Sequence, residues 1–217
     1  MRSLSLSCDA ASPLNILCLG AHSDDIEIGC GGTILRLAQQ YPNCVFHWVV
    51  FSAAGVRAEE AIRATRLFTG ANALKGPVLK SFQDGFMPFV GAEIKNEFEE
   101  LKGVTAPDIV FTPSRKDAHQ DHRLIGELTW NTFRNHLILE YEIPKYDGDI
   151  GQPTVFVPLE GDVYHRKVQY LMDAFQSQHA KPWFQESTFL SLMRLRGMEC
   201  NSPSGYAEAF YCRKLVL

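Results

Sequence analysis

The sequence predicts an α/β fold, a single Rossmann-like domain of three layers in which helices cover both faces of a mostly parallel sheet. Three observations predict it. Short continuous apolar runs read as strands buried on both faces. Those runs alternate with stretches of helical spacing, the pattern of βαβ units. The 217 residues contain no internal repeat, low-complexity tract or dividing linker, so 1–217 reads as one domain long enough to bury a full core.

The elements follow in order. Leu14 to Gly20 (LNILCLG) is a buried strand ending in glycine, and after a loop at Ala21 to Asp25 a helix is expected from Ile28 to Gln40. Cys44 to Phe51 (CVFHWVVF) is the second strand. Val56 to Phe68 has helical spacing and stops before Gly70, a plausible C-cap. A short strand at Val78 to Ser81, a helix at Ala92 to Lys102 and a strand at Asp108 to Thr112, closed by Pro113, come next. Beyond the polar loop Ser114 to Gln120 the pattern gives a helix at His122 to Asn135 and a strand at Leu137 to Ile143. A Gly/Asp/Pro-rich loop, Pro144 to Pro153, reads as an insertion. A strand at Thr154 to Val157, helices at Val163 to Ser177 and Trp183 to Arg196, and a strand at Ala207 to Tyr211 complete the chain.

Composition narrows the function. At 46% hydrophobic and 21% charged residues the usage is that of an ordinary globular chain, which excludes disordered and fibrous classes. A formal charge of -4 offers no basic stripe for a phosphate backbone, so no nucleic-acid partner is expected. No apolar run reaches membrane-spanning length and the N-terminus lacks a signal-peptide pattern, so no membrane insertion and a cytoplasmic location are expected. Six scattered cysteines without a CxxC pair (Cys8, Cys18, Cys30, Cys44, Cys200 and Cys212) suit a reducing compartment. Homo-oligomerisation stays open.

In parallel sheets ligands bind beyond the carboxyl ends of the strands, and two strand-end loops hold most of the reactive residues. The first reads Ala21-His22-Ser23-Asp24-Asp25, and the second leads into His119-Gln120-Asp121-His122. If their strands are neighbours, histidines and carboxylates converge on one cleft. His22, Asp25 and His122 would form a two-histidine, one-carboxylate set that suits zinc with open positions, although another divalent metal such as Fe2+ is compatible. Taken singly, each histidine could be a surface or cap residue, and Asp24 or Asp25 could cap the following helix. Two such motifs together favour the metal.

His22-Ser23-Asp24-Asp25 followed by Gly29-Cys30-Gly31-Gly32, together with His119-Gln120-Asp121-His122, resembles the LmbE/PIG-L family of zinc-dependent de-N-acetylases. Supporting likenesses run through Arg57-Ala58-Glu59-Glu60, Pro107 to Thr112, Ser177-Gln178 and Tyr206 to Phe210. Ser23 replaces the proline usual in the family, which bears on loop rigidity. No tyrosine precedes His119, where Asp117 and Ala118 stand, so no tyrosine is assigned a catalytic role.

The resemblance implies a hydrolase that removes an N-acetyl group from an N-acetylglucosamine-like amino sugar, with zinc-bound water as nucleophile. His22, Asp25 and His122 would hold the metal, and Asp24 would act as general base and then as general acid. His119 is the candidate electrophile for the oxyanion, with Asp121 favouring its protonated form. Arg57 is expected to bind sugar hydroxyls, against the plainer reading of an exposed arginine at a helix start. Asp117 could orient a ligand histidine or cap a helix. Glu142, Lys145 and Asp147 could read a sugar or belong to a solvated insertion. His47, His136 and His179 read as structural or surface residues, His165 is unassigned, and Cys30 reads as packing.

Two other classes compete. A nucleotide-binding module is suggested by Gly29, Gly31 and Gly32, but a dinucleotide fingerprint sets its glycines in the turn that here holds His22, Asp24 and Asp25. A zinc-dependent amidase or phosphoesterase would keep the metal and change the bond; two-metal phosphoryl hydrolases need more ligands than the motifs supply.

Overall fold

The computed structural model of the chain describes residues 13–72 and 76–216, so Cys8 lies outside the described residues. The elements are β1 (Asn15–His22), α1 (Asp25–Gln40), β2 (Val45–Ser52), α2 (Val56–Thr69), β3 (Val78–Leu79), α3 (Gly91–Val104), β4 (Ile109–Pro113), α4 (Gln120–Thr132), β5 (Leu137–Tyr141), β6 (Val155–Pro158), α5 (Val163–Ala174), α6 (Glu186–Glu199) and β7 (Ala207–Tyr211). Single 3-10 turns at Gly70–Asn72, Met87–Val90 and Gln176–Gln178 were not expected from the sequence. Seven strands form one sheet in the order β3-β2-β1-β4-β5-β7-β6. The first five run parallel, and β7 is antiparallel to both β5 and β6.

The continuous apolar runs follow from the sheet being covered twice. Along β1, Ile16 and Cys18 enter one core while Leu17 and Leu19 enter the other, and β2 divides Phe46, Trp48 and Val50 from Val49 and Phe51 in the same way. Side chains alternate along a strand, so burying both faces demands an apolar residue at nearly every position. Helices α1, α2, α5 and α6 pack over one face and α3 and α4 over the other. No helix among the described residues is long and apolar enough to cross a membrane.

Helix α1 begins at Asp25, three residues before the expected start, and holds Gly29, Gly31 and Gly32 as expected. A Cβ on Gly29 would stand 2.1 Å from the Tyr141 ring, so that glycine lets the helix sit down on β5. The glycines serve helix packing, and the nucleotide-binding alternative loses the feature that suggested it. Helix α5 stops at Ala174 rather than Ser177, because the Ser177 N–H turns out of the helix to donate to Glu60 Oε1 at 2.8 Å.

Strand order reverses direction at β1, whose neighbours are β2 and β4, and Cys18 of β1 pairs with Phe111 of β4. This is the switch point at which open α/β sheets leave a crevice. The strands carrying the two reactive motifs are thus neighbours.

Candidate active site

His22 ends β1, Asp25 opens α1, and His122 lies in the first turn of α4. His22 Nδ1 lies 3.1 Å from His122 Nε2, Asp25 Oδ1 lies 3.3 Å from His122 Nε2, and Asp25 Oδ2 lies 3.6 Å from His22 Nδ1. Zinc ligands at 2.0 to 2.1 Å in a tetrahedron stand about 3.3 Å apart, so these spacings fit one small divalent ion. The second oxygen of Asp25 accepts the His22 backbone N–H at 2.8 Å, which fixes the carboxylate on the strand end.

The outer nitrogens of both imidazoles are also engaged. His122 Nδ1 lies 2.9 Å from Asp117 Oδ2, while His22 Nε2 lies 3.2 Å from Asp121 Oδ2 and 3.0 Å from Asp84 Oδ1. Carboxylates only accept, so the hydrogens sit on the outer nitrogens and the inner lone pairs face the ion site, the arrangement that orients metal-ligating histidines. Burial opposes charging His122, but Asp25 and Asp117 outweigh it and raise its pKa to about 9. His22 is likewise raised against burial, chiefly by Asp25. Burial works to raise Asp25 as well, yet His122 and His22 hold it well below the usual carboxylate range. A pocket that draws protons this strongly draws any small cation, and a metal ion would replace those protons.

Asp24 occupies the position before α1, yet its side chain makes no capping bond. Its Oδ1 instead accepts from Arg57 Nη2 at 2.6 Å, and the residue is buried. Arg57 Nη1 reaches Glu60 Oε2 at 2.8 Å, and the guanidinium lies 5.4 Å from the Phe175 ring centre. Arg57 was expected to face sugar hydroxyls; both ends of its fork are taken up by Asp24 and Glu60, so it orients the carboxylate.

His119 caps α4: its Nδ1 accepts the Asp121 N–H at 3.3 Å. Its hydrogen is therefore on Nε2. Asp121 favours charge on His119 as expected but is outweighed, and its carboxylate is turned elsewhere. Asp121 is buried, accepts from the Gly85 and Met87 N–H groups at 2.7 and 3.2 Å, and faces His22. Burial, then the charges of His122 and His22, lower the His119 pKa, so a neutral Nε2–H is the donor it offers.

Two overlapping donor groups arise among the described residues, His22 with His119 and His122, and His22 with Asp84, His119 and Asp121. The second uses the outer edge of His22, whose hydrogen its carboxylates already accept. Nothing in the sequence singles out Asp84. It follows the two-residue β3, and only the turn at Gly85 (φ 77°), a conformation glycine tolerates, brings it against His22. Glu60 and Ser177 were visible as supporting likenesses, and the structure joins them through a 2.7 Å hydrogen bond.

The profile of PIG-L, described as GlcNAc-PI de-N-acetylase, matches residues 17–133, more than half of the chain. The chain belongs to the PIG-L family. The matched stretch holds both motifs, Arg57 and Asp84. A relative termed uncharacterized deacetylase YaiS, from Escherichia coli K12, is 30% identical over 143 residues, 60% of this chain and 74% of the relative. The N,N'-diacetylchitobiose deacetylase of Pyrococcus horikoshii superposes with a TM-score of 0.70 at 20% identity, over 92% of this chain and 83% of that one. The 4-carboxy-2-hydroxymuconate hydratase of Pseudomonas putida KT2440 gives 0.66 at 17%, over 94% and 98%. At such identities the two structures share the PIG-L fold, and the fold alone does not choose the reaction.

The remaining expected residues fall into place around this PIG-L centre. Lys145 lies 2.9 Å from Asp117 Oδ1 and 2.6 Å from Asp149 Oδ2, and Asp147 is exposed. Glu142 is buried and accepts from Arg196 at 2.9 Å, Tyr211 at 2.8 Å and the Gly151 N–H at 3.1 Å, so it braces the 144–153 segment from below. That segment is anchored through Lys145, Asp149 and Gly151, and residues 146–148 and 150–152 are exposed. Burial pushes the Cys30 thiol well up, in keeping with packing.

Proposed function

We propose that the chain hydrolyses the N-acetyl group of an N-acetylglucosamine-like amino sugar and that its metal is zinc, held by His22, Asp25 and His122. The observation that carries this is the pairwise approach of His22, Asp25 and His122 to within 3.6 Å through their ligand atoms, beside Asp24, a buried carboxylate that neither caps a helix nor joins that set. A bound divalent ion would polarise the acetyl carbonyl and acidify a water molecule. Asp24 takes the proton of the attacking water and returns it to the departing amine, because an amine leaves only once protonated. His119 offers its Nε2–H to the oxygen on which charge develops. Asp117 and Asp121 hold the two ligand rings by their outer hydrogens, and Arg57 keeps Asp24 turned toward the centre.

A hydratase on the same fold supports a second reading, since an ion and a base can also add water across a carbon–carbon double bond. The deciding experiment is release of acetate by metal-loaded protein from a panel of N-acetylglucosaminides and N-acylated sugar nucleotides. Acetate released in proportion to amine establishes the deacetylase. A panel that yields none, with water added to an enol acid instead, establishes the hydratase.

A further inference from the structure

We propose that Lys167 and Glu208 are positioning residues for the reaction: their ion pair is set into the backbone of α1 and fixes the first turns of that helix, and with them Asp24 and Asp25. This rests on the roles proposed for Asp24 and Asp25, and it gives a use to Glu208 of the Tyr206 to Phe210 stretch.

Two consecutive N–H groups in the middle of α1 meet a carboxylate from β7. The Gly32 N–H donates to Glu208 Oε1 at 2.8 Å and the Thr33 N–H to Oε2 at 2.6 Å. In a regular helix the Gly32 N–H faces the carbonyl four residues back, which here is that of Ile28, and this oxygen accepts from Lys167 Nζ of α5 at 2.6 Å. Lys167 also donates to Glu208 Oε1 at 2.6 Å, so a link from Ile28 to Gly32 runs through the ion pair. N–H groups that turn to an anion are those of a helix beginning, and a carbonyl that turns to a cation is that of a helix end. The pair thus stands at a joint between residues 25–31, which carry Asp25, and the body of α1 at 32–40.

The joint falls where the helix is weakest. Glycine is the poorest helix former after proline, and Gly29, Gly31 and Gly32 all lie there. A Cβ on Gly32 would stand 3.0 Å from Glu208 Oε1, so that glycine also admits the carboxylate. From the joint the hold reaches the centre in one turn: Ile28, whose carbonyl Lys167 binds, donates its own N–H to the Asp24 carbonyl at 3.0 Å. Lys167 and Glu208 are 2% and 4% exposed. Burying two charges costs so much desolvation that such a pair adds little net stability, and its best attested use is to fix one arrangement among several.

The test uses two variants. Lys167→Met/Glu208→Gln removes both charges together and leaves neither buried alone; Glu208→Asp keeps the charge beside Lys167, draws the oxygens back from the helix, and carries the test should the double variant not fold. In metal-free protein the amides of Ile28 to Gly31 are expected to exchange about tenfold faster while those of Leu35 to Gln40 are unchanged. Zinc, measured by competition with a chelator, should bind about tenfold more weakly, and kcat for acetate release should fall about a hundredfold with KM unchanged. Exchange hastened evenly along α1, unchanged zinc affinity, or a raised KM with kcat intact overturns the positioning role. Local exchange and weakened zinc binding in a protein whose unsubstituted form releases no acetate support the positioning role and sink the deacetylase reading.

Discussion

Arg57, in the first turn of α2, ties that helix to the loop after β1, with Nη2 at 2.6 Å from Asp24 Oδ1 and Nη1 at 2.8 Å from Glu60 Oε2 one turn along its own helix. The fork fixes the direction of the Asp24 carboxylate. Displacing a reacting group by an ångström costs on the order of a hundredfold in rate, so Arg57→Ala is expected to lower kcat by about that factor while bound metal is unchanged. Arg57→Lys should recover only part, because a single ammonium cannot hold two carboxylates in a planar fork. A rise in KM with kcat intact would return Arg57 to sugar binding.

Asp24→Asn keeps the shape of the side chain and its contact with Arg57 while removing its basicity. Metal content and thermal unfolding should match the unsubstituted protein, and kcat should fall by roughly a hundred to ten thousandfold. Steady-state acetate release checks this, and near-normal turnover would remove Asp24 from the mechanism.

His22→Ala, Asp25→Ala and His122→Ala should each strip the ion, because two remaining protein bonds retain it poorly. Protons and metal compete for the same nitrogens. His122 titrates at about 9 in the metal-free fold, so near pH 7 uptake of zinc should release about one proton from it, and affinity should rise as pH climbs toward 9. Calorimetry in two buffers of different ionisation heat measures the release. Proton-neutral binding at pH 7, or full metal content in the His22→Ala and His122→Ala proteins, contradicts the ligand set.

Glu27 is fully buried, and neither carboxylate oxygen has a hydrogen-bond partner among the described residues. Burial, reinforced by Asp24 and Asp25, pushes its pKa well above the usual range. Its folded pKa lies above its unfolded value of about 4.3, so its contribution to stability is fully present below that pH and is lost as pH rises toward the folded value. Glu27→Met, of similar volume and apolar, is expected to stabilise the metal-free protein by about 1–3 kcal/mol at pH 8 and by less at pH 4.5. Urea midpoints at the two pH values check it, and a gap that does not widen with pH refutes it.

These outcomes depend on residues of unequal visibility in the sequence. Leu14 to Gly20 and Asp108 to Thr112 were legible as buried strands because double burial leaves an apolar run, though not as neighbours, and His22, Asp25 and His122 stood out because they lie in the loops and helix starts after those strands. The start of α1 was placed three residues late, and the reason for Gly29, Gly31 and Gly32 within it was hidden, because the residues that require them, Tyr141, Phe68 and Leu159, belong to distant elements. Asp84 reaches His22 across 62 positions of sequence and Lys145 reaches Asp117 across 28, through tertiary contacts with no periodic trace. Arg57 was singled out, but its partner Asp24 was not, since that contact exists only once β1 and β2 are side by side.

His119 is the residue on which the two accounts of the centre divide. It falls within 4.8 Å of His22 and His122 as a possible third imidazole ligand, whereas the proposed mechanism gives that place to Asp25 and leaves His119 as a donor. The cap favours the donor: with Nδ1 accepting the Asp121 N–H, the neutral ring keeps its hydrogen on Nε2 and has no second lone pair to offer a metal. His119→Ala is therefore expected to retain its zinc. Losing one donor to a developing oxyanion costs on the order of 2.7 to 4 kcal/mol, so kcat should fall about a hundred to a thousandfold with KM little changed, because the contact strengthens only as charge develops. The pH profile separates a neutral from a charged donor. A protonated His119 would impose an alkaline limb that vanishes in His119→Ala. The structure gives a neutral donor, and the shape of the profile should survive the substitution while its height falls. Zinc lost together with activity would make His119 a ligand, and an alkaline limb that disappears would restore the charged form.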